Sequence, residues 1–130
     1  MRSQILDYIN DLSLGSYSVS NNLPYDETGG SLYIKNVKTI YVDQPTFTEN
    51  PILTALDGSD VTDQVTSVSI FFSTDAKSLP TNFDTVITAL KNAKDITTVG
   101  GIHRREADVS RVYQGDLIVT EIVVRFIKLT

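Results

Sequence analysis

The chain has 130 residues and a mass of 14.4 kDa, room for one domain around one core. Hydrophobic residues make up 41% and charged residues 21%, which excludes disorder over most of the length, and the absence of cysteine removes disulfides, thiol nucleophiles and zinc ribbons. The formal charge of −5 is unevenly spread, with 9 acids and 3 bases in residues 1–65 (−6) against 7 acids and 8 bases in residues 66–130 (+1), so no general basic footprint marks a nucleic-acid binder.

Met1, Arg2, Ser3 and Gln4 lead into acidic Asp7 and Asp11 instead of a signal-peptide core, and no apolar run reaches the roughly 20 residues that cross a bilayer. A soluble protein that does not use a standard export signal is expected. Residues 3–12 place Ile5, Tyr8, Ile9 and Leu12 at i, i+3, i+4 and i+7, with Asp7, Asn10 and Asp11 opposite. That spacing predicts a short amphipathic helix, stopped near Gly15. Beyond it the chain favours pleated structure, because valine, isoleucine and threonine supply 40 of the 130 residues.

Tyr17 and Val19 mark a short strand, and residues 32–35 and 39–42 a longer broken one. Residues 23–31, which carry Gly29 and Gly30, and residues 42–51, which carry Pro45, Phe47, Asn50 and Pro51, lack a regular pattern and read as contact loops. Residues 65–73 are the clearest strand, with Val68, Ile70 and Phe72 on one face. The turn signature Asp57-Gly58-Ser59-Asp60 should fold the segment around Leu53 and Leu56 back against it. A second helix is predicted over residues 80–94. Pro80 suits its first turn, Phe83, Val86, Ile87 and Leu90 form the apolar stripe, and Lys91 and Lys94 sit at the negative end of the helix dipole.

Residues 107–113 and 117–129 flank Gln114-Gly115-Asp116, an antiparallel hairpin with a glycine-assisted turn. The last strand carries Ile118, Ile122, Val124 and Phe126 on one face and Leu117, Val119, Val123 and Ile127 on the other. A strand apolar on both faces is either central in its sheet or covered by a neighbouring subunit. The elements add up to a single α+β domain over residues 1–130. Its mixed, mainly antiparallel sheet has two helices packed on one face, in the order αβββαββ.

Catalytic parts are few. His103 is the single histidine, no Gly-x-Ser-x-Gly elbow exists, and neither Gly29-Gly30 nor Gly100-Gly101 continues into a phosphate loop or a dinucleotide fingerprint. Asp57, Asp60 and Asp63 lack the order of an EF-hand and read as solvated turn acids, and the adjacent Asp26 and Glu27 diverge. No enzyme activity, cofactor or metal is expected. Arg104, Arg105 and Arg111 form the local basic cluster, and the even separation of Arg105 and Arg111 puts both on one face of a strand. They can pair with Glu106 or Asp108 on the same sheet, with a carboxylate on another protein, or with DNA phosphate; the acidic total favours protein.

The order of N-terminal helix, Leu23-Pro24-Tyr25-Asp26 loop, Leu32-Tyr33-Ile34-Lys35-Asn36-Val37-Lys38, strand ending Phe72-Ser73-Thr74-Asp75-Ala76-Lys77, Leu79-Pro80 helix start and C-terminal hairpin resembles small neck and tail proteins of long-tailed bacteriophages. Within that group it is most similar to the tail terminator family, over nearly the whole chain. The resemblance implies a structural virion subunit that forms a homo-oligomeric ring, expected to be hexameric, on the last ring of tail-tube subunits. The ring ends tube growth and joins the tail to the head-completion or connector protein. Its expected places are the virion neck and, during assembly, the host cytoplasm. DNA passes the lumen without sequence-specific binding, and no membrane is involved. The loops at 24–31 and 44–51 would reach neighbouring rings, with Tyr25, Asp26 and Phe47 as contacts, and Arg104, Arg105, Glu106 and Arg111 would make charged intersubunit contacts. A head-completion, connector or tail-tube subunit is the alternative of the same type; a ligand-binding α+β module, with a pocket between sheet and second helix, is the alternative of another.

Overall fold

Helix α1 (Arg2–Asp11) buries Ile5, Leu6 and Ile9, the face its apolar spacing marked. Ser13 and Gly15 then take positive φ angles of 49° and 71°, which ends the helix and turns the chain. Arg2 fastens the start of α1: its Nε donates to the Val42 carbonyl at 2.8 Å and its Nη2 to the Asn21 carbonyl at 2.9 Å. The computed structural model describes residues 1–15, 17–25, 34, 38–54, 58, 60–77, 82–96 and 100–129, with backbone alone at 52, 53, 60 and 61.

Six strands follow or frame the second helix. β1 (Ser18–Ser20) runs parallel to β2 (Thr39–Val42), and β2 runs antiparallel to β4 (Asp60–Asp75). β3 (Thr46–Thr54) also pairs antiparallel with β4, at residues 60–67, while β2 takes residues 70–72 of the same edge. Helix α2 (Phe83–Lys91) runs on into a 3-10 turn, Asn92–Asp95. β5 (Arg104–Gln114) and β6 (Leu117–Leu129) form the C-terminal hairpin, and β6 pairs with β4 through 13 successive rungs. The sheet order is β1-β2-β4-β6-β5, with β3 alongside β4.

This is a mixed, mainly antiparallel sheet with two helices, as the composition indicated, but the element order is αββββαββ. The added strand is β3. Residues 42–51, read from the sequence as a contact loop, are strand from Thr46 onward. Their polar residues gave no alternating signal because residues 46–51 are all exposed, with no buried face among them. The proline at 51 is tolerated because β3 is an edge strand, where one row of backbone donors goes unused. The fold-back of the segment around Leu53 onto the strand after Gly58 is present as the β3–β4 pairing, with a register shift between Pro51 and Leu53. Gly58 has φ 89°, open to glycine and strained for other residues. Residues 32, 33 and 35 of the strand expected at 32–35, the Pro80 helix start and most of the 23–31 loop lie outside the described residues; Ile34 is described and buried.

Both helices pack on one face of the sheet. Ile40 and Val42 of β2, Val68, Ile70 and Phe72 of β4, and Ile122, Val124 and Phe126 of β6 form its floor. Phe83, Val86, Ile87 and Leu90 of α2 close it from above, joined by Ala93 and Ile96. Phe72 sits at the centre, its ring 4.9 Å from Tyr17 edge-on and 5.8 Å from Phe83 in a stacked arrangement. Two tyrosine hydroxyls tie the N-terminal elements to this lid: Tyr8 donates to the Ala89 carbonyl at 3.2 Å and Tyr17 to Asn82 Oδ1 at 3.0 Å.

The opposite face has a smaller apolar cluster of Ile34, Tyr41, Phe71 and Val119, with Leu117 against it. Of the two explanations for a doubly apolar last strand, central position applies, since β6 lies between β4 and β5. Ile34 of the same chain helps to bury Val119, so no neighbouring subunit is needed to cover that end of β6. At β2 the Ser73 hydroxyl donates to the Thr39 carbonyl and accepts from its N–H, 3.2 Å each, closing the buried polar groups at the β2–β4 corner.

Candidate functional site

The residues expected to make contacts fall on three places, two of which are outer edges of the sheet, β5 and β3. On the β5 edge, Arg104, Glu106 and Asp108 point away from the helices because they oppose Ile127, Arg125 and Val123 of β6. There they form a mixed-charge row. Arg104 Nε lies 3.2 Å from Glu106 Oε1, and Arg125 Nη1 lies 2.5 Å from Asp108 Oδ2 and 4.0 Å from Glu106 Oε2. These side chains are largely solvated, so the pairs orient the edge and add little stability. The within-sheet pairing named from the sequence therefore holds for Arg104, with Arg125 as the partner that sequence spacing could not place.

Arg105 and Arg111 share the helix side of β5, as their even separation required. They do not act alike. Arg111 is exposed and its guanidinium carbon stands 4.9 Å from the centre of the Phe83 ring, a cation–π contact that holds it over the end of α2. Arg105 is half-buried, and its Nε is shielded from water with no hydrogen-bond partner. Beside them the strand carries exposed apolar groups that the sequence reading did not single out: Val112 is 59% and Tyr113 74% exposed, and Val109 is also exposed. Their spacing held the signal, because neighbours such as Val112 and Tyr113 cannot share one buried face of a strand.

The opposite edge is β3. Phe47 is 58% exposed, on the helix side of the sheet with Glu49, whose Oε1 accepts from Gln64 Nε2 at 2.8 Å. Among the described residues no strand pairs with the outer side of β3 or of β5. Each edge therefore presents open backbone donors and acceptors together with a large apolar side chain.

The third place is Tyr25, whose hydroxyl donates to Asp43 Oδ2 in a short bond while Asp43 Oδ1 accepts from the Gln44 N–H at 2.7 Å. Asp26 lies outside the described residues. The Asp43 hydrogen bond, then burial, then the charges of Asp43 and Glu121 push the Tyr25 phenol up to about 12 from its ordinary 10. A raised folded value means that the neutral phenol stabilises the native state fully below pH 10, and that this contribution disappears as pH rises through about 12. Comparing urea midpoints of the native chain and Tyr25→Phe across that window should show the native chain losing more stability than the variant.

His103 sits exposed at the start of β5, with its backbone N–H donating to the Ile127 carbonyl at 2.9 Å. Among the described residues no three His, Cys, Asp or Glu side chains gather as a metal site. Two hollows are outside the interface between sheet and α2: one of about 300 Å³ between α1 and β1, bounded by Asn10, Ser13 and Tyr17, and one of about 430 Å³ on the outer side of α2 at Asp84 and Thr88. No helix among the described residues is long and apolar enough to cross a membrane. No protein-family model matches the chain, and no curated protein matches it.

Proposed function

We propose that this chain is a structural subunit that joins copies of itself head to tail into a ring, serving as the tail terminator of a long-tailed bacteriophage: it caps the tail tube, stops its growth and joins it to the head or connector. The observation that supports this most is the pair of open sheet edges, β3 and β5, on opposite sides of one rigid sheet, each carrying exposed apolar side chains. Unlike patches at opposite ends of a subunit make a heterologous contact, which closes into a ring when the rotation between copies divides a full turn. The acidic first half and the slightly basic second half add opposite charge to the unlike surfaces. Net negative charge also suits a lumen through which DNA slides, because few bases are left to hold phosphate. A connector or tube subunit would share the ring; two helices on one face of a single sheet favour the terminator over a tube subunit built as a β-sandwich.

Native mass spectrometry and negative-stain imaging of the purified protein, alone and with tail-tube subunits, test the reading. A closed ring of one mass, or rings seated at tube ends, is the expected result. A chain that stays monomeric under both conditions and leaves tube ends bare overturns it.

A further inference from the structure

We infer that β5 of one copy pairs antiparallel with β3 of the next, in the single register that sets residues 46–50 against residues 110–114. The inference rests on the ring reading above and gives that ring its interface.

Strand direction allows the contact. β3 runs opposite to β4, β4 opposite to β6, and β6 opposite to β5, so β3 and β5 point in opposite directions within one copy. A neighbour generated by rotation about an axis along the strands therefore brings its β3 beside β5 as an antiparallel pair, with both helix layers on the same side. In such a pair, opposed residues face the same way. Phe47 and Glu49 lie on the helix side, as do Arg111 and Tyr113; Thr46, Thr48 and Asn50 lie on the other side, as do Ser110, Val112 and Gln114.

Side-chain chemistry then selects the register. With residue 47 opposite residue 113, the helix side joins Phe47 to Tyr113, the largest exposed apolar groups of their edges, and Glu49 to Arg111, an acid to a base. The other side joins Thr46 to Gln114, Thr48 to Val112 and Asn50 to Ser110, two polar pairs and one threonine–valine pair. A two-residue slip in one direction puts Phe47 on Arg111 and Glu49 on Val109, separating the aromatic pair and leaving the carboxylate against an apolar group. The opposite slip puts Phe47 beyond the strand at Gly115 and Glu49 on Tyr113. A one-residue slip sends Phe47 and Tyr113 to opposite faces. The ladder also has natural limits: Pro51 follows on β3 without a backbone donor, and β5 ends at Gln114 before the turn at Gly115. Every one of residues 46–50 and 110–113 is exposed, so both edges are open to a partner. Pairing β5 with a second β5 would leave Phe47 and the β3 edge bare, which is why the unlike contact is preferred.

The chain has no cysteine, so engineered pairs read out cleanly. Two double variants, Phe47→Cys with Tyr113→Cys and Thr48→Cys with Val112→Cys, sample adjacent rungs, one of which has the shorter separation that a disulfide requires. Oxidising the assembled protein should convert at least one of them into a covalent ladder ending at the ring's copy number, while each single cysteine gives no ladder. Glu49→Arg and Arg111→Glu should each abolish the assembled species, and the two together should restore it; a cooperative urea transition shows that each variant is folded. Assembly that persists while neither double variant yields a ladder overturns the inference and leaves the ring standing. A covalent dimer from Val109→Cys alone means a two-fold β5 contact and also overturns it. A chain monomeric with and without tube subunits overturns the ring reading and this interface together.

Discussion

Replacing Phe72 by alanine should lower the stability of the protein by about 3–5 kcal/mol, the range for removing a large aromatic from a core that cannot collapse around the gap. Phe72 has 0% exposure and lies on β4, the strand shared by β2 and β6, directly beneath Phe83 and edge-on to Tyr17. Its removal therefore takes away two aromatic contacts as well as its own buried area. The rigid sheet floor and the α2 lid are both anchored elsewhere, so neither can move in to fill the space. Urea unfolding followed by far-ultraviolet circular dichroism measures the effect, read as a lower midpoint at an unchanged slope. A loss under about 1 kcal/mol, the level of an ordinary surface change, would mean that Phe72 is not the centre of the packing.

Leu90→Ala should produce the second large effect, about 2–5 kcal/mol by the same assay. Leu90 is also fully buried, and it is the last apolar position of α2 before the chain tightens into the 3-10 turn at Asn92. Helices this short are marginal alone in water, so α2 holds its form chiefly through the face it lays on the sheet. Truncating that face at its C-terminal end should loosen Ala93 and Ile96 as well, since both belong to the same cluster. Faster amide exchange across α2, greater than in β4 and β6 of the same variant, would accompany the lower midpoint.

The parts of the fold legible in the sequence are those where one face is buried. Ile5 and Ile9 in α1, Val68, Ile70 and Phe72 in β4, and Phe83, Val86, Ile87 and Leu90 in α2 were all marked by spacing and all lie in the helix-side core. The C-terminal hairpin was marked by Gly115, which takes φ 61° at the turn. β3 was hidden because Thr46, Phe47, Thr48, Glu49 and Asn50 are exposed on both sides, so no periodicity records them as a strand. Of the candidate contacts, the shared face of Arg105 and Arg111 followed from parity alone, whereas the Arg125 pairing with Asp108 needed the β5–β6 register. The adjacency of Val112 and Tyr113 showed that both could not share one buried face, but that both are exposed required the edge position of β5.

The 13-rung β4–β6 ladder has a consequence for the order of folding. β3 with β4 and β5 with β6 are each joined by a short connection and can zip from their turns, whereas β4 and β6 meet only after the intervening segment, which contains α2 and all of β5, has been drawn into a loop. That closure entropy is lost before the ladder returns any stabilisation, so pairing of β4 with β6 should follow the closing of the two hairpins.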